Sequence, residues 1–229
     1  LDPAAYSLQI QTADNSATVA QFGADLSGLV DAAITVVASG FLNPANNSDG
    51  AAFGLFVATA AGGALLELPA EEIPTPTARV QVIHNSADAA AASVDVYLND
   101  DLLIDDFAFR TASPFIDAPA GTAFDITIAP GNSTGVGDGI WTKSYTLAEG
   151  STYILIANGI VSPSGYDPAT AFDIDVYDMG REAAETAGKT DVLVYHGSTD
   201  APTVDVVEVK AGAGIVVNDI SYSEYQGYL

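Results

Sequence analysis

Hydrophobic and polar residues alternate along most of the chain in short runs. In "SVDVYLN", Val94, Val96 and Leu98 share one face, and Asp95, Tyr97 and Asn99 share the other. In "AFDIDVYDM", Phe172, Ile174 and Val176 alternate with Asp173 and Asp175. A period of two puts successive side chains on opposite sides of an extended backbone, so each run predicts a strand with one face in a core and one in water. "ARVQVIHNS", "AFDITIAP", "STYILIANGIV", "DVLVYHGS", "TVDVVEVK" and "GIVVND" are rich in Val, Ile, Tyr and Phe and are bounded by Gly, Pro, Asn, Asp or Ser. Turn signals recurring at about ten residues predict an all-β chain of antiparallel β-sandwich type. Helical patterning is confined to "REAAETAG" (181–188), two turns ending at a Gly, and to part of "GADLSGLVDAA" (23–33).

The runs repeat. "VIHNSADA" (82–89) recurs as "VYHGSTDA" 112 residues later, and "SVDVY" (93–97) as "TVDVV" 110 later. "ITVVASGF" (34–41) matches "YILIANGI" and "AAFGLFVA" (51–58) matches "TAFDIDVY", both at a shift of 119. "LDPAAYSLQI" resembles "DAPAGTAFDITI" (117–128), and "YSEYQGYL" (222–229) aligns on "FRTASPFI" (109–116). The expected organisation is one whole tandem sandwich repeat at 79–189 flanked by two complementary half units. Residues 1–72 are the C-terminal half of a unit, 73–78 a Pro-stiffened linker, and 190–229 the N-terminal half of another. The tail then runs into the head of the next unit. Leu1, Tyr6, Leu8, Ile10, Tyr222, Tyr225, Tyr228 and Leu229 are the expected unit junction. Either the chain is a window on a longer covalent array, or each copy's tail completes the next copy's head; Leu rather than Met at position 1 fits a mature product, a fragment or such a window. A half sandwich leaves strand edges and an apolar face open, so 1–72 is not expected to fold alone.

Charge narrows the partners. Thirty acids face six bases (Arg79, Arg110, Lys143, Arg181, Lys189, Lys210), for a net charge of −24. Nucleic acid and anionic membrane surfaces both need a positive footprint, so neither is an expected partner. The acidic surface keeps the chain soluble and suits a salty medium that screens its self-repulsion. With no cysteine, thiol catalysis, disulfides and Cys-based zinc sites are excluded. No apolar run reaches the roughly 18 residues of a membrane span, and no signal peptide is visible.

Candidate chemistry is sparse. His84, Ser86 and Asp88, repeated as His196, Ser198 and Asp200, name the members of a Ser-His-Asp triad. A triad needs Ser and Asp on opposite ring nitrogens, whereas neighbours on one strand splay in parallel, and no nucleophile elbow is nearby. The plainer reading is that His ends a strand while Ser and Asp organise the following turn. We therefore expect no enzyme and no cofactor. Asp100, Asp101, Asp105, Asp106 and Asp138 are the candidate calcium ligands, although EF-hand and nonapeptide spacings are both absent; Asp100 and Asp101 read more simply as a hairpin turn. Asn46 and Asn132 begin Asn-x-Ser/Thr triplets in polar loops, the candidate glycosylation sites. Tyr222, Tyr225 and Tyr228 form an aromatic cluster that could anchor a subunit contact or pack in a core.

The stretches "RVQVIHNSADAAAASVDVYLNDDLL" and "DVLVYHGSTDAPTVDVVEV" resemble the opening of the bacterial domain of unknown function DUF4397. Its units begin with a Val-rich strand, then His-x-Ser-x-Asp-Ala (here His84, Ser86, Asp88), then Val-Asp-Val-Tyr (Val94 to Tyr97), and later a Pro-Ala-Gly turn (Pro119 to Gly121). The chain departs by the inserted "AAAAS" (89–93) and by Val207 where Tyr is usual. The resemblance implies secreted or surface-attached proteins with Ig-like sandwich units in tandem, and is silent on activity. The expected function is thus a non-enzymatic extracellular structural protein, its repeats joined head to tail in a fibre, stalk or filament-like adhesin, with copies of itself or neighbouring repeats as partners. The alternative is a surface binding module for polysaccharide or a cell-surface partner.

Overall fold

The structure is a computed structural model that describes residues 1–229. The chain is all-β: its regular elements are strands and three short 3₁₀ turns, with no α-helix. It divides into two compact units, Leu1–Pro74 and Thr75–Leu229. No helix is long and apolar enough to cross a membrane.

The first unit holds β1 (Ala5–Gln11), β2 (Thr18–Asp25), β3 (Ile34–Ser39), β4 (Gly54–Thr59), β5 (Leu66–Glu67) and β6 (Ala70–Glu71). They form two three-stranded sheets, β1-β2-β6 and β3-β4-β5. Between them sit Phe22, Ala24, Leu55, Val57 and Leu68, with Tyr6, Leu8 and Ile10 of β1 packed alongside. Residues 66–71 act as a clasp that the sequence pattern does not reveal. Leu66 pairs with Val57 of β4, and Ala70 with Phe22 of β2. The chain crosses between the sheets at Leu68 and Pro69, where the Pro69 carbonyl accepts from Gly23 N–H at 2.9 Å. The Glu71 carboxylate accepts from the Ser7 hydroxyl and, at 3.0 Å, from Gln21 Nε2. The clasp covers the outer edges of β2 and β4 and gives residues 1–72 a small core of their own. The edges of β1 and β3 stay unpaired.

The second unit opens with β7 (Thr77–His84), β8 (Ser93–Leu98), β9 (Asp101–Ala108), β10 (Ile116–Pro119), β11 (Ala123–Pro130), β12 (Trp141–Thr146), β13 (Thr152–Asn158) and β14 (Asp173–Tyr177). Two four-stranded sheets, β10-β7-β13-β14 and β12-β11-β8-β9, face each other. This is a β-sandwich whose sheets bury Val80 and Val82, Val94 and Val96, Phe124, Ile126 and Ile128, and Leu155 and Ile174 between them; the expected faces hold only in part, since Asp95 and Tyr97, expected in water, are buried and Val176, expected in the core, is 41% exposed. The space between these sheets amounts to only about 40 Å³. β7 and β13 run parallel, Val82 beside Leu155; every other pairing is antiparallel.

The unit ends with β15 (Val194–Tyr195), β16 (Val204–Glu208), β17 (Gly214–Ile220) and β18 (Tyr225–Gln226), paired only as β15-β18 and β16-β17. Two strand pairings coincide with those of the sandwich at the shifts seen in the sequence. Val36 faces Val57 as Leu155 faces Val176. Val204 faces Ile220, and Val206 faces Val217, as Val94 faces Phe107 and Val96 faces Ile104. Even irregularities match. Gly40 and Gly159 lie at φ 90° and 85° against a neighbouring carbonyl that a Cβ would strike.

Three local expectations change. Arg181–Gly188 forms turns rather than helix, because the Asp191 carboxylate draws Glu185 N–H (3.0 Å) and the Arg181 guanidinium into a local knot, and eight residues are too few to nucleate a helix unaided. The hairpin turn at 98–101 is Asn99-Asp100, with Asp101 already in β9 opposite Leu98; Asn99, at φ 53°, takes the left-handed position that Asn tolerates. β7 takes in Thr77 and Ala78, since Ala78 is buried and pairs with Ala118, so the stretch without strand pairing between β6 and β7 is 72–76.

Leu155→Ala should cost the second unit about 3 kcal/mol in denaturant unfolding. Val36→Ala, at the matching position in the first unit, should cost less than about 1 kcal/mol in dilute chain, because Val36 is 44% exposed against 6% for Leu155.

Candidate functional site

Three arrangements carry the chemistry of the chain. The first is the loop after β7. His84 ends the strand, fully buried against Phe107 and Phe109. Its Nδ1 accepts from Ser86 N–H at 3.3 Å, so Nε2 carries the proton and donates to the Ala91 carbonyl at 2.7 Å. The Ser86 hydroxyl donates to the Gly159 carbonyl at 2.6 Å. The Asp88 carboxylate caps the 3₁₀ turn Ala89–Ala91 through Ala90 N–H (2.9 Å). It also accepts from Val161 N–H (2.9 Å), Ser162 N–H (2.6 Å), Ser162 Oγ (2.8 Å) and Tyr166 Oη (3.0 Å). Ser86 thus points at a carbonyl and Asp88 at amides, neither at the imidazole. The trio ties the segment after β7 to the segment after β13. Burial holds the His84 imidazole below its ordinary range, against the opposing pull of the Ala91 carbonyl. Burial by itself would raise the Asp88 carboxyl, but the Ala90 and Ser162 amides and the Ser162 and Tyr166 hydroxyls outweigh it and hold the group at about 2.

The second copy of the trio has the same beginning and no end. His196 bonds the Pro202 carbonyl at 3.1 Å and accepts from Ser198 N–H at 3.4 Å. Ser198 and Asp200 are exposed and bond each other at 3.1 Å. Their sandwich counterparts, Ser86 and Asp88, take partners from residues 159–166. The equivalents of those partners by the 119-residue shift are residues 40–47.

The second arrangement joins the sandwich to the C-terminal segment. Asp175 of β14 accepts from Tyr195 Oη and, at 2.6 Å, from Ser223 Oγ, while its backbone carbonyl accepts from Tyr225 Oη at 2.9 Å. Asn158 donates to Tyr195 Oη at 2.6 Å, and Asn85 donates to Asn158 Oδ1 (3.1 Å) and to the Gly197 carbonyl (2.9 Å). Tyr177 packs on Tyr225 and Tyr228, and Arg181 lies 4.7 Å above the Tyr228 ring while its N–H donates to Tyr228 Oη at 2.8 Å. Burial first, then the Asp175 charge, pushes the Tyr195, Tyr222 and Tyr225 phenols up. Of the eight junction residues expected from sequence, Tyr225 and Tyr228 sit in this cluster, and Tyr222 beside it. Leu229 N–H bonds the Val192 carbonyl at 3.1 Å. Leu8 and Ile10 lie in the first unit's core, Tyr6 there too with its hydroxyl on the Asp2 carbonyl, and Leu1 is fully exposed. Sequence reasoning missed Asp175, Asn158, Asn85, Tyr177 and Tyr195. Their signal was the mismatch between copies: Asp175 aligns with Phe56 and Tyr195 with Ile83.

The third arrangement is a pair of open surfaces. In the first unit a groove of about 640 Å³ is lined by Tyr6, Leu8, Leu26, Ile34, Val36 and Leu68, among others. It lies where the sandwich leaves about 40 Å³. In the C-terminal segment Val192 is 47% and Val206 38% exposed, against 4% and 2% for their counterparts Val80 and Val96.

The calcium candidates do not converge. Asp138 caps Thr134, accepting from its N–H at 2.7 Å and its Oγ1 at 3.0 Å. Asp106 bonds Ser93 Oγ, and its N–H donates to the buried Asp95, which also takes Ser133 N–H and Oγ. No three His, Asp or Glu side chains gather in metal-binding geometry. Asn46 and Asn132 are both exposed.

The model of the family described as domain of unknown function (DUF4397) matches residues 78–207, more than half of the chain, from β7 into β16. The chain belongs to the DUF4397 family. No curated protein matches it. Within the DUF4397 match lie both His-x-Ser-x-Asp trios and the whole eight-stranded sandwich.

Three expectations follow. His84 is held neutral, so unfolding takes up a proton below about pH 6.5, and stability is full above that value and declines below it. Asp88 is depressed, so its contribution is full above about pH 4 and is lost as the pH falls toward about 2. The stability difference between wild type and Asp88→Asn, followed by denaturant titration, should shrink over that lower window. Asp175→Ala should speed amide exchange across 194–226 while leaving 77–158 protected, because it strands two hydroxyl donors at a cost of about 1–3 kcal/mol.

Proposed function

We propose that the chain is a non-enzymatic extracellular structural protein, built of Ig-like sandwich repeats joined head to tail into a fibre, stalk or filament-like adhesin. The repeat unit is the sandwich of 77–177. Residues 1–72 supply the second part of a unit and 190–229 the first part. The observation that carries the reading is the coincidence of strand register at matched positions, together with the open groove and open valine face found only in the two incomplete segments. The DUF4397 membership agrees with a β-sandwich module. The Tyr–Asp175 cluster supports series connection, since it fixes the start of one unit against the last strand of the one before it through side-chain hydrogen bonds and stacked rings. The first His-x-Ser-x-Asp trio bonds mostly to backbone groups, which fits a stabilising role.

A net charge of −24 makes such units repel one another along the array. Raising ionic strength from roughly 10 mM to 1 M shortens the screening length from about 30 Å to 3 Å. Purified chain should therefore form longer beaded filaments in high salt, seen by negative-stain electron microscopy, with two sandwich-sized beads per chain. Particles that remain single and globular under both conditions would refute the reading.

A further inference from the structure

We propose that the groove between β1 and β3 of one copy of this chain is the docking site for residues 190–229 of a second copy, with Ser198 and Asp200 as its polar lock. The inference rests on the head-to-tail reading above and specifies its contacts.

The sandwich of the same chain shows the interface already made. There β13 accepts β7 in parallel, Tyr153 beside Val80 and Leu155 beside Val82, while β11 accepts β8, Ile128 opposite Val96 and Thr127 opposite Tyr97. Transferred by the sequence shifts, Ile34 meets Val192 and Val36 meets Val194 in parallel, and Ile10 meets Val206 and Gln9 meets Val207 antiparallel. The unpaired edges of β1 and β3 are the ones β8 and β7 occupy in the sandwich; the clasp at 66–71 covers the opposite edges, so only one side of the first unit remains open to a strand. The exposed valines on both segments then enter one core.

Polar groups fix the same register independently. Asp88 holds the Val161 and Ser162 amides, and Ser86 the Gly159 carbonyl. The matching positions are Leu42 and Asn43, both exposed, for Asp200, and Gly40 for Ser198. Asn43 and Asn47 stand where the sandwich has Ser162 and Tyr166. The hydroxyl bonds of those two are lost, while the backbone bonds of the lock remain. An arbitrary apolar partner could fill the groove but would not bring a carboxylate to those two amides.

The chain has no cysteine, so engineered pairs report cleanly. Single variants Val36→Cys and Val194→Cys of the full chain are mixed, oxidised and run on non-reducing gels. Adjacent parallel strands place the two Cα atoms about 5 Å apart, within disulfide reach. The expected result is a covalent dimer of one variant with the other. Its yield should drop at least tenfold when Val192→Cys replaces Val194→Cys, or when Asp200→Ala is added with the circular dichroism spectrum unchanged. Equal yields in the displaced register, or no effect of Asp200→Ala, overturn the inference. So does a Val36→Cys/Val194→Cys double variant that closes only within its own chain. Filaments that form without this cross-link overturn the docking register and leave the head-to-tail reading standing; a chain that stays monomeric by light scattering at all concentrations and salt levels overturns both.

Discussion

The seam between β7 and β13, continued in the opposite sheet between β8 and β11, is the interaction on which the rest of the structure depends. Each sheet of the sandwich is assembled from an early part of the chain and a late part. The strand ladders join the two parts only along these central pairings. Buried backbone amides and carbonyls must be paired, so neither part is a finished object without the other. Where the seam is made, the valines and isoleucines of both parts close on each other and little space is left between them. Where it is missing, the same residue types line an open groove or face water.

The His-x-Ser-x-Asp trio acts at the end of that seam. A buried imidazole, a hydroxyl and a carboxylate are costly to bury unless every polar atom is bonded. In the sandwich they are bonded, and the bonds run from the early part of the chain to the late part: Ser86 to Gly159, Asp88 to Val161 and Ser162. The trio therefore reports whether the two parts are together. The half-formed copy at His196 keeps only its internal bonds. The Tyr–Asp175 cluster does a different task. It attaches the C-terminal segment to β14, through the side chain and the backbone carbonyl of Asp175.

Much of the fold was legible in alternating runs such as "ARVQVIHNS", whose Ala78, Val80 and Val82 are buried while the residues between them are not, because a strand half in water and half in a core has few other ways to satisfy both faces. The recurring segments were legible as well, and the structure gives β3 on β4 and β16 on β17 the registers of their matched strands in the sandwich. The clasp at 66–71 was not. Two residues on either side of a proline carry no period, and their pairing is set by the edges they happen to reach. Nor was the Asp175 cluster, whose members are spread from Asn85 to Tyr225.

The sequence by itself determined the class of the fold, the internal recurrence of its strand motifs and the absence of thiol chemistry, since those rest on local periodicity and composition. The tertiary structure alone decided which strands lie beside each other in parallel, which edges are clasped and which stay open. It also decided what the paired acids and tyrosines bond to. Those outcomes depend on contacts between residues far apart in the chain, where geometry and burial select partners that no spacing along the backbone encodes.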